Sequence, residues 1–201
     1  DYDKTRIITA HIGNGASIAA IKNGKALDVS LGMTPVEGLM MGTRSGDVDP
    51  GVLTFLMEAE GLEAAGISEL INKKSGVLGV SGVSSDMREI EDAIKNGNER
   101  ATLAMTMYDY RIKKYVGAYA AAMGGVDVLV FTGGVGENQY TTREKVCTDM
   151  EFMGIVFDSK VNEGMRGKEM VISKPESKVT VIVVPTDEEY MIASDTMTIL
   201  K

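Results

Sequence analysis

Three glycine-rich clusters in the sequence each place a polar side chain beside backbone that could bind an anion. Residues 11–15 (HIGNG) contain the single histidine, residues 42–47 (GTRSGD) hold an arginine between two glycines, and residues 133–138 (GGVGEN) follow an apolar run. Glycine lets the backbone approach phosphate oxygens closely, and a guanidinium on a tight loop suits carboxylate or phosphoryl oxygens. The clusters therefore indicate anion binding, and the position of the third cluster after a predicted strand favours nucleotide contact there.

Each cluster also has a simpler explanation. Residues 11–15 would serve as a plain hairpin turn, residues 133–138 as a tight strand-to-helix connection, and Arg44 as a solvated surface side chain. The third cluster is not the dinucleotide-binding fingerprint, because Gln139 stands where the third glycine belongs. It is not a Walker A loop either, because no Lys-Ser or Lys-Thr pair follows. Taken one at a time, the clusters leave anion binding and ordinary turns both open.

Two pairs of charged residues are further candidates. Asp86 stands two positions before Arg88, and Glu188 is followed by Glu189 at the predicted start of the last helix. Negative side chains also stabilise helix N-termini through the helix dipole, so both pairs have a structural explanation as well.

Other catalytic chemistries find little support in the sequence. There is no Cys/His set of the zinc-binding kind, no HExxH motif and no GxSxG motif, and any Ser-His-Asp triad would have to use His11. Cys147 cannot form an internal disulfide and falls in a predicted helix, so we expect an inert, packed thiol.

The composition limits the classes of partner. The 201 residues carry a net charge of −8, so we expect no nucleic acid and no membrane surface as a partner. No stretch approaches the roughly 20 apolar residues that cross a bilayer, and the first residues lack a signal-peptide pattern. A single cysteine fits a reducing cytoplasm. Because the chain begins without Met, we expect a processed product or a piece of something larger.

The hydrophobic pattern predicts a mixed α/β fold. Three strands over residues 5–11, 16–21 and 26–30, joined by short Asn/Gly turns, predict an antiparallel meander, and residues 31–50 predict a long ordered loop. The remaining predicted elements are helices over 50–60, from Ser68 to before Gly76, over 86–95 and over 98–123, a strand over 126–131, a loop over 132–138, a helix over 139–151, a strand over 179–184 and a helix over 188–199. A meander that continues into β-α-β-α units implies a mixed sheet with helices on its faces.

Read together, the motifs resemble the signature of the acetokinase family, the acetate kinases. The segments that carry the resemblance are residues 11–17 (HIGNGAS), 34–50 (TPVEGLMMGTRSGDVDP), 82–88 (GVSSDMR), 131–138 (FTGGVGEN) and 185–189 (PTDEE). They stand in the family's order and extend over residues 5–199. Family members are about twice as long, so the resemblance implies that residues 1–201 are the C-terminal nucleotide-binding domain and that the N-terminal domain is absent from this chain.

The resemblance implies a fold and a reaction. The fold would be a ribonuclease-H-like domain of the acetate and sugar kinase, Hsp70 and actin superfamily, with helices on both faces of a mixed sheet. The reaction would be reversible transfer of the ATP γ-phosphoryl group to acetate, giving acetyl phosphate and ADP, with Mg²⁺ or Mn²⁺ as cofactor. A cytoplasmic homodimer formed through this domain is implied, and we expect the domain alone to be inactive. The alternatives are a non-catalytic nucleotide-binding and dimerisation fragment, or a kinase for propionate or butyrate.

The resemblance also implies roles for individual residues. The phosphate-binding loop would be His11, Ile12, Gly13, Asn14 and Gly15, the nucleoside contacts Asp86, Met87 and Arg88, and the adenosine loop Gly134, Val135, Gly136, Glu137 and Asn138. Arg44 would stabilise the transferring phosphoryl group, and Glu188 would bind the metal. Asp187 departs from the family's pattern, where we expect asparagine, and would change the charge beside the metal.

Overall fold

In a computed structural model of the protein, which describes residues 1–200, the first three strands form the predicted antiparallel meander. They are β1 (Arg6–Ile12), β2 (Ala16–Lys22) and β3 (Lys25–Val29). The β1–β2 register pairs Arg6 with Lys22 and Ile12 with Ala16, so the hairpin closes over residues 13–15.

Three later strands complete a six-stranded sheet of order β3-β2-β1-β4-β6-β5. Here β4 is Val128–Thr132, β5 is Met170–Val171 and β6 is Thr180–Val183. Strand β4 pairs in parallel with both β1 and β6, whereas β5 pairs antiparallel with β6. The mixed sheet is confirmed, and the short β5 was not predicted. Because β1, β4 and β6 run in parallel, their carboxyl ends meet at one edge, where α/β sheets bind ligands.

Nine helices are described in residues 1–200. In chain order they are α1 (Pro50–Glu60), α2 (Ala64–Lys73), α3 (Gly76–Ser81), α4 (Met87–Lys95), α5 (Glu99–Met123), α6 (Gly133–Asn138), α7 (Tyr140–Cys147), α8 (Ser159–Asn162) and α9 (Glu188–Ile199). Short 3-10 turns cover Tyr2–Lys4 and Glu151–Met153. None of these helices is both long enough and apolar enough to cross a membrane.

Local capping explains why several helix starts were predictable. Asp49, Asp86 and Asn98 each accept a hydrogen bond from a backbone N–H in the first turn of the helix that follows. Such caps satisfy N–H groups that the helix itself leaves unpaired. The starts of α1, α4 and α5 are confirmed to within one residue.

The structure departs from the predicted helices in four places. Helix α2 begins at Ala64, not Ser68, and has no side-chain cap. Helix α3 was not predicted. Residues 133–138 form the short helix α6 rather than a loop, and the helix predicted to reach residue 151 ends at Cys147. These elements carry weak local signals, so their limits depend on contacts with the rest of the chain.

The hydrophobic core lies between one face of the sheet and α5. One face of β1, β2, β4 and β6 is buried, and α5 adds a buried stripe whose largest fully buried side chain is Tyr108. The sheet contributes Ile8, Ala10, Ile12, Leu129, Phe131, Val181 and Val183. The residues between these in the strands, such as Thr9 and Val130, are only half-buried. The two faces are therefore unequally covered within residues 1–200, and the buried face fixes the position of the carboxyl edge.

Candidate functional site

A cleft of about 600 Å³ opens at the carboxyl edge of the sheet. Eight of the residues singled out from the sequence line it, and they come from three segments that lie far apart in the chain. They are Gly13, Asn14, Asp86, Met87, Arg88, Gly134, Val135 and Asn138. The first segment is the β1–β2 turn, the second is the start of α4, and the third is α6. The structure thus brings most of the predicted nucleotide contacts into one cavity.

Five predicted residues of the two glycine loops lie outside the cleft lining. Ile12 is fully buried in the core, and His11 is half-buried on β1, opposite Thr132 of β4. Gly15 lies at the end of the β1–β2 turn. Gly136 is buried on the inner side of α6. Glu137, the fifth, has a different environment.

Glu137 faces the loop that precedes α9 rather than the cleft. Its Oε1 accepts hydrogen bonds from the Gly133 N–H at 2.9 Å, and from the N–H and hydroxyl of Thr186, each at 3.0 Å. The side chain therefore joins the start of α6 to the chain that leaves β6. It therefore fixes the ends of the parallel strands β4 and β6 relative to each other.

Arg44 lies beside the β1–β2 turn, adjacent to the cleft residues. A Cβ added at Gly15 would lie 3.1 Å from Arg44 Nη1, and one added at Gly42 would overlap Asn14 Oδ1. The Gly42 N–H donates to Asn14 O at 3.1 Å, so the two glycine loops are directly joined. A larger residue at position 42 would displace the Asn14 side chain and would lie within 3.2 Å of the Ser85 carbonyl oxygen.

The Arg44 loop is held by α3 through backbone hydrogen bonds. The N–H groups of Val77 and Leu78 donate to Met41 O and Gly42 O, both at 2.9 Å. The guanidinium itself is half-buried, and Nη1 lies 3.7 Å from the sulfur of Met41. No carboxylate in residues 1–200 forms an ion pair with it. The loop thus presents a cation whose charge is not neutralised within the described chain.

Asp47 anchors the far end of the same loop to α5. Its carboxylate accepts from the Gly38 N–H at 2.8 Å and from the Tyr115 hydroxyl at 2.7 Å, and pairs with Arg111 at 3.4 Å. Burial and the Asp47 hydrogen bond raise the pKa of Tyr115. The long loop is therefore ordered at both ends.

Asp86 and Arg88 form a compact pair at the start of α4. Asp86 accepts from the Arg88 N–H at 2.9 Å and from its guanidinium at 3.1 and 2.6 Å. The Arg88 hydrogen bonds lower the pKa of Asp86 to about 2, so the carboxylate is ionised at neutral pH. The pair both caps the helix and presents a carboxylate to the cleft.

The cleft has four lining residues that the sequence motifs did not identify as contacts. They are Ser85, Glu91, Gln139 and Arg166. Ser85 and Gln139 stand inside or next to recognised motifs, which is a signal that could have found them. Glu91 and Arg166 lie 75 residues apart in the sequence and pair at 3.6 Å, and nothing in the local sequence predicts that. Glu91, Gln139 and Arg166 also line a second cavity of about 580 Å³ between α4, α5 and α7.

A fully buried arginine supports the α6 wall of the cleft. Arg143 donates from Nη1 to Gly136 O at 2.8 Å, from Nη2 to Met165 O at 2.7 Å, and from Nε to Asn162 Oδ1 at 2.8 Å. Burial lowers the pKa of this guanidinium to about 10. Met165 precedes the cleft residue Arg166, so Arg143 connects two walls of the cleft. Sequence reasoning missed it.

The predicted metal ligand Glu188 is exposed at the start of α9. Asp187 caps that helix by accepting from the Tyr190 N–H at 3.0 Å. Within residues 1–200 no three His, Cys, Asp or Glu side chains group as a metal site. Cys147 is a free, buried thiol, and burial raises its pKa to about 12, so the prediction of a packed cysteine without an internal disulfide is confirmed.

Comparison with known proteins decides the family. The sequence profile of the acetokinase family matches residues 1–194. The chain belongs to the acetokinase family. It is 99% identical to the acetate kinase of Porphyromonas gingivalis over 201 residues, which are all of this chain and 50% of that protein. The family predicted from the motifs is thereby confirmed.

Solved structures of two acetate kinases and a propionate kinase have the same fold. The crystal structure of Porphyromonas gingivalis acetate kinase matches with a TM-score of 0.98 over 100% of this chain and 50% of that one. Acetate kinase from Entamoeba histolytica matches at 37% identity and a TM-score of 0.91 over 98% of this chain and 52% of that one. A propionate kinase from Francisella tularensis matches at 38% identity and 0.86, over 94% and 48% respectively. The chain thus spans about half the length of the relatives it matches.

Proposed function

We propose that this half of an acetokinase binds ATP or ADP in the cleft, and that the whole protein transfers the γ-phosphoryl group reversibly to acetate. One observation carries the proposal: three distant segments converge on one cleft at the carboxyl edge, and the Arg44 loop is bonded directly to one of them. Such an edge is where α/β folds bind nucleotides. Family membership supplies the reaction class.

The proposed binding roles follow from the local chemistry. Asp86 is ionised and capable of accepting hydrogen bonds from ribose hydroxyls, while the turn at Gly13 and Asn14 lets backbone approach the phosphates. Gly134, Val135 and Asn138 would contact the adenosine. Glu137 and Arg143 would act indirectly, by holding α6 in place.

Arg44 would carry the charge-stabilising role. Phosphoryl transfer requires mainly positioning and the neutralisation of charge on three equatorial oxygens. A guanidinium without a carboxylate partner in residues 1–200 meets that requirement without first breaking an ion pair. Its place beside Gly15 sets it next to the proposed phosphate turn.

The described residues would supply only part of a magnesium site. Substrate phosphates and water would have to supply the other ligands. Mg²⁺ binds through one or two carboxylates, waters and substrate phosphates, and therefore does not need a cluster of three protein ligands. Glu188 supplies one exposed carboxylate just beyond β6, at the same edge as the cleft. When bound, the metal would neutralise charge on the transferring phosphates. Mn²⁺ would serve in the same way.

The remaining parts of the proposal concern the whole protein. The acceptor carboxylate and the residues that contact it would lie in the N-terminal half, outside this chain, so this chain alone would bind nucleotide without completing the transfer. The similarity to a propionate kinase over this half favours the view that this domain does not select the carboxylate. We also propose a cytoplasmic homodimer that forms through this half.

The test uses this chain and a joined protein, in which the chain is fused to the N-terminal half of the Porphyromonas gingivalis acetate kinase. We expect titration calorimetry to detect ATP binding by both. Acetyl phosphate, trapped as a hydroxamate, should form only with the joined protein. Acetyl phosphate made by this chain alone would refute the division of labour, and failure of both proteins to bind ATP would refute the nucleotide site.

A further inference from the structure

Gln139 carries a buried amide group whose hydrogen-bonding capacity is only partly used. The residue is 4% exposed, and its Oε1 accepts from the Thr142 hydroxyl at 3.1 Å. Its Nε2 donates to no group in residues 1–200. It is nevertheless not completely enclosed by protein, because the enclosed side-chain polar atoms without a partner are Tyr108 Oη and Asp109 Oδ1. The free amide therefore borders open space.

That space is the cleft and the cavity that adjoins it, because Gln139 lines both. The backbone holds the residue firmly at the α6–α7 junction, where its N–H donates to Val135 O at 2.8 Å. Because the Thr142 hydroxyl bonds to Oε1, the NH₂ group is the part of the carboxamide that is left for a ligand. Because the donor borders open space, water satisfies it in the free protein, and an acceptor on a ligand would replace that water.

The position of Gln139 matches one part of the proposed ligand. Asp86 and Arg88, the proposed nucleoside contacts, lie on the α4 side of the cleft, and Glu91, one turn further along α4, lines the same end of the cleft as Gln139. A base attached to a ribose at Asp86 would extend toward this end. Ring nitrogens of a purine carry lone pairs that accept hydrogen bonds from an amide.

We propose that Gln139 Nε2 donates a hydrogen bond to a ring nitrogen of the nucleotide base and thereby sets base affinity. This inference rests on the proposed ATP site. Thr142 is then a positioning residue that acts by holding the carboxamide in its donating orientation. Glu91 and Arg166, which pair at 3.6 Å, close the same end of the cleft.

The first test compares variants in the joined protein. Gln139→Leu should weaken ATP binding about tenfold, the value of one lost hydrogen bond of about 1.4 kcal/mol. Because the contact is present in ground and transition states alike, the KM for ATP should rise while kcat stays unchanged. Thr142→Val should weaken binding by a smaller factor. Thr148→Val, the same change on an exposed side chain that lines neither cavity, should have no effect.

The second test identifies the bonded atom with 1-deaza, 3-deaza and 7-deaza ATP. One of the three should bind the wild type about tenfold more weakly than ATP, while Gln139→Leu binds that analogue and ATP equally well. A merely structural role would lower the melting temperature and weaken all four ligands alike. The inference is overturned if Gln139→Leu keeps wild-type ATP affinity or if no analogue shows the coupling. If the wild type binds no ATP, the proposed nucleotide site itself fails.

Discussion

Two arginines near the cleft lack a carboxylate partner within residues 1–200, and their environments differ completely. Arg44 is half-buried on a loop, and the one polar side-chain contact that it makes within residues 1–200 is the Met41 sulfur. Arg143 is fully buried and donates to three oxygens of the surrounding chain. A buried charge persists only where hydrogen bonds replace water. The hydrogen-bond donors of Arg143 are therefore taken up by the protein itself, whereas the Arg44 guanidinium remains available to a ligand.

The largest expected effect tests the availability of Arg44. In the joined protein, Arg44→Ala should lower kcat by about 10³-fold or more, the scale of an arginine that stabilises a transferring phosphoryl group. Stability should change by less than about 1 kcal/mol, because the side chain forms no ion pair in the described residues. Arg44→Lys keeps the charge but loses the planar fork, so it should recover only part of the rate. An unchanged kcat in steady-state assays would remove Arg44 from the chemistry.

A buried acid, Asp109, shows what happens when burial is only partly offset by hydrogen bonds and neighbouring charge. Its Oδ1 is sealed without a partner, and desolvation raises its pKa to about 7. The folded state thus keeps a proton that the unfolded state loses near pH 4. Stability should therefore be full below about pH 4, fall as pH rises to about 7, and then level off, a total loss of about 4 kcal/mol for about 3 pKa units.

Urea unfolding of Asp109→Asn, compared with the wild type at pH 4 and pH 8, isolates this effect. The neutral amide cannot ionise, so the variant should gain about 4 kcal/mol on the wild type between the two pH values. The acid-side loss of stability from ionised carboxylates such as Asp86 is common to both proteins. Identical pH profiles would mean that folding does not raise the pKa of Asp109.

Arg143 should matter to stability more than to chemistry. Arg143→Met leaves Gly136 O, Met165 O and Asn162 Oδ1 without this donor, and should lower the free energy of unfolding by about 3 kcal/mol. The matched control is Arg100→Met, because Arg100 also donates to two backbone carbonyls but at an exposed site. That variant should lose less than about 1 kcal/mol. Equal losses would contradict the role assigned to burial.

The smallest expected effect concerns Asp86. Asp86→Ala removes both a helix cap and the proposed ribose contact, so we expect the KM for ATP to rise about tenfold with a smaller change in kcat. Steady-state kinetics of the joined protein would measure both constants. A larger fall in kcat than rise in KM would move Asp86 from nucleotide binding to the chemical step.

The predictable parts of the fold share a local physical cause. The β1–β2–β3 meander follows from short apolar runs and Asn/Gly turns, and α5 follows from Asn98 as a cap and a three-to-four-residue apolar spacing. Helix α3 had no such pattern. Its first N–H groups are satisfied by Met41 O and Gly42 O, more than 30 residues earlier, and a contact at that range leaves no local mark in the sequence.

The candidate site likewise has residues that the sequence predicts and residues that only the structure reveals. The motifs around residues 13, 86 and 134 were recognisable because glycine turns and helix caps depend on residues that are neighbours in the sequence. Arg166 was not, because it reaches the cleft only through a segment that Arg143 ties to α6. Glu137 and Gly136 were assigned to ligand binding by their place in a motif, whereas in the structure their polar groups bond to the protein itself.

The sequence by itself determined the family resemblance, the strand meander, the long α5 helix and the segments that form most of the cleft. These depend on periodicity, turn chemistry and short motifs, which are properties of neighbouring residues. Only the tertiary structure decided that Arg143 bonds to the protein itself, that Glu137 faces away from the cleft, and that the Gln139 amide has an unused donor. Burial and hydrogen-bond partners arise between residues distant in the chain, so they exist only once the sheet and α5 have closed the core.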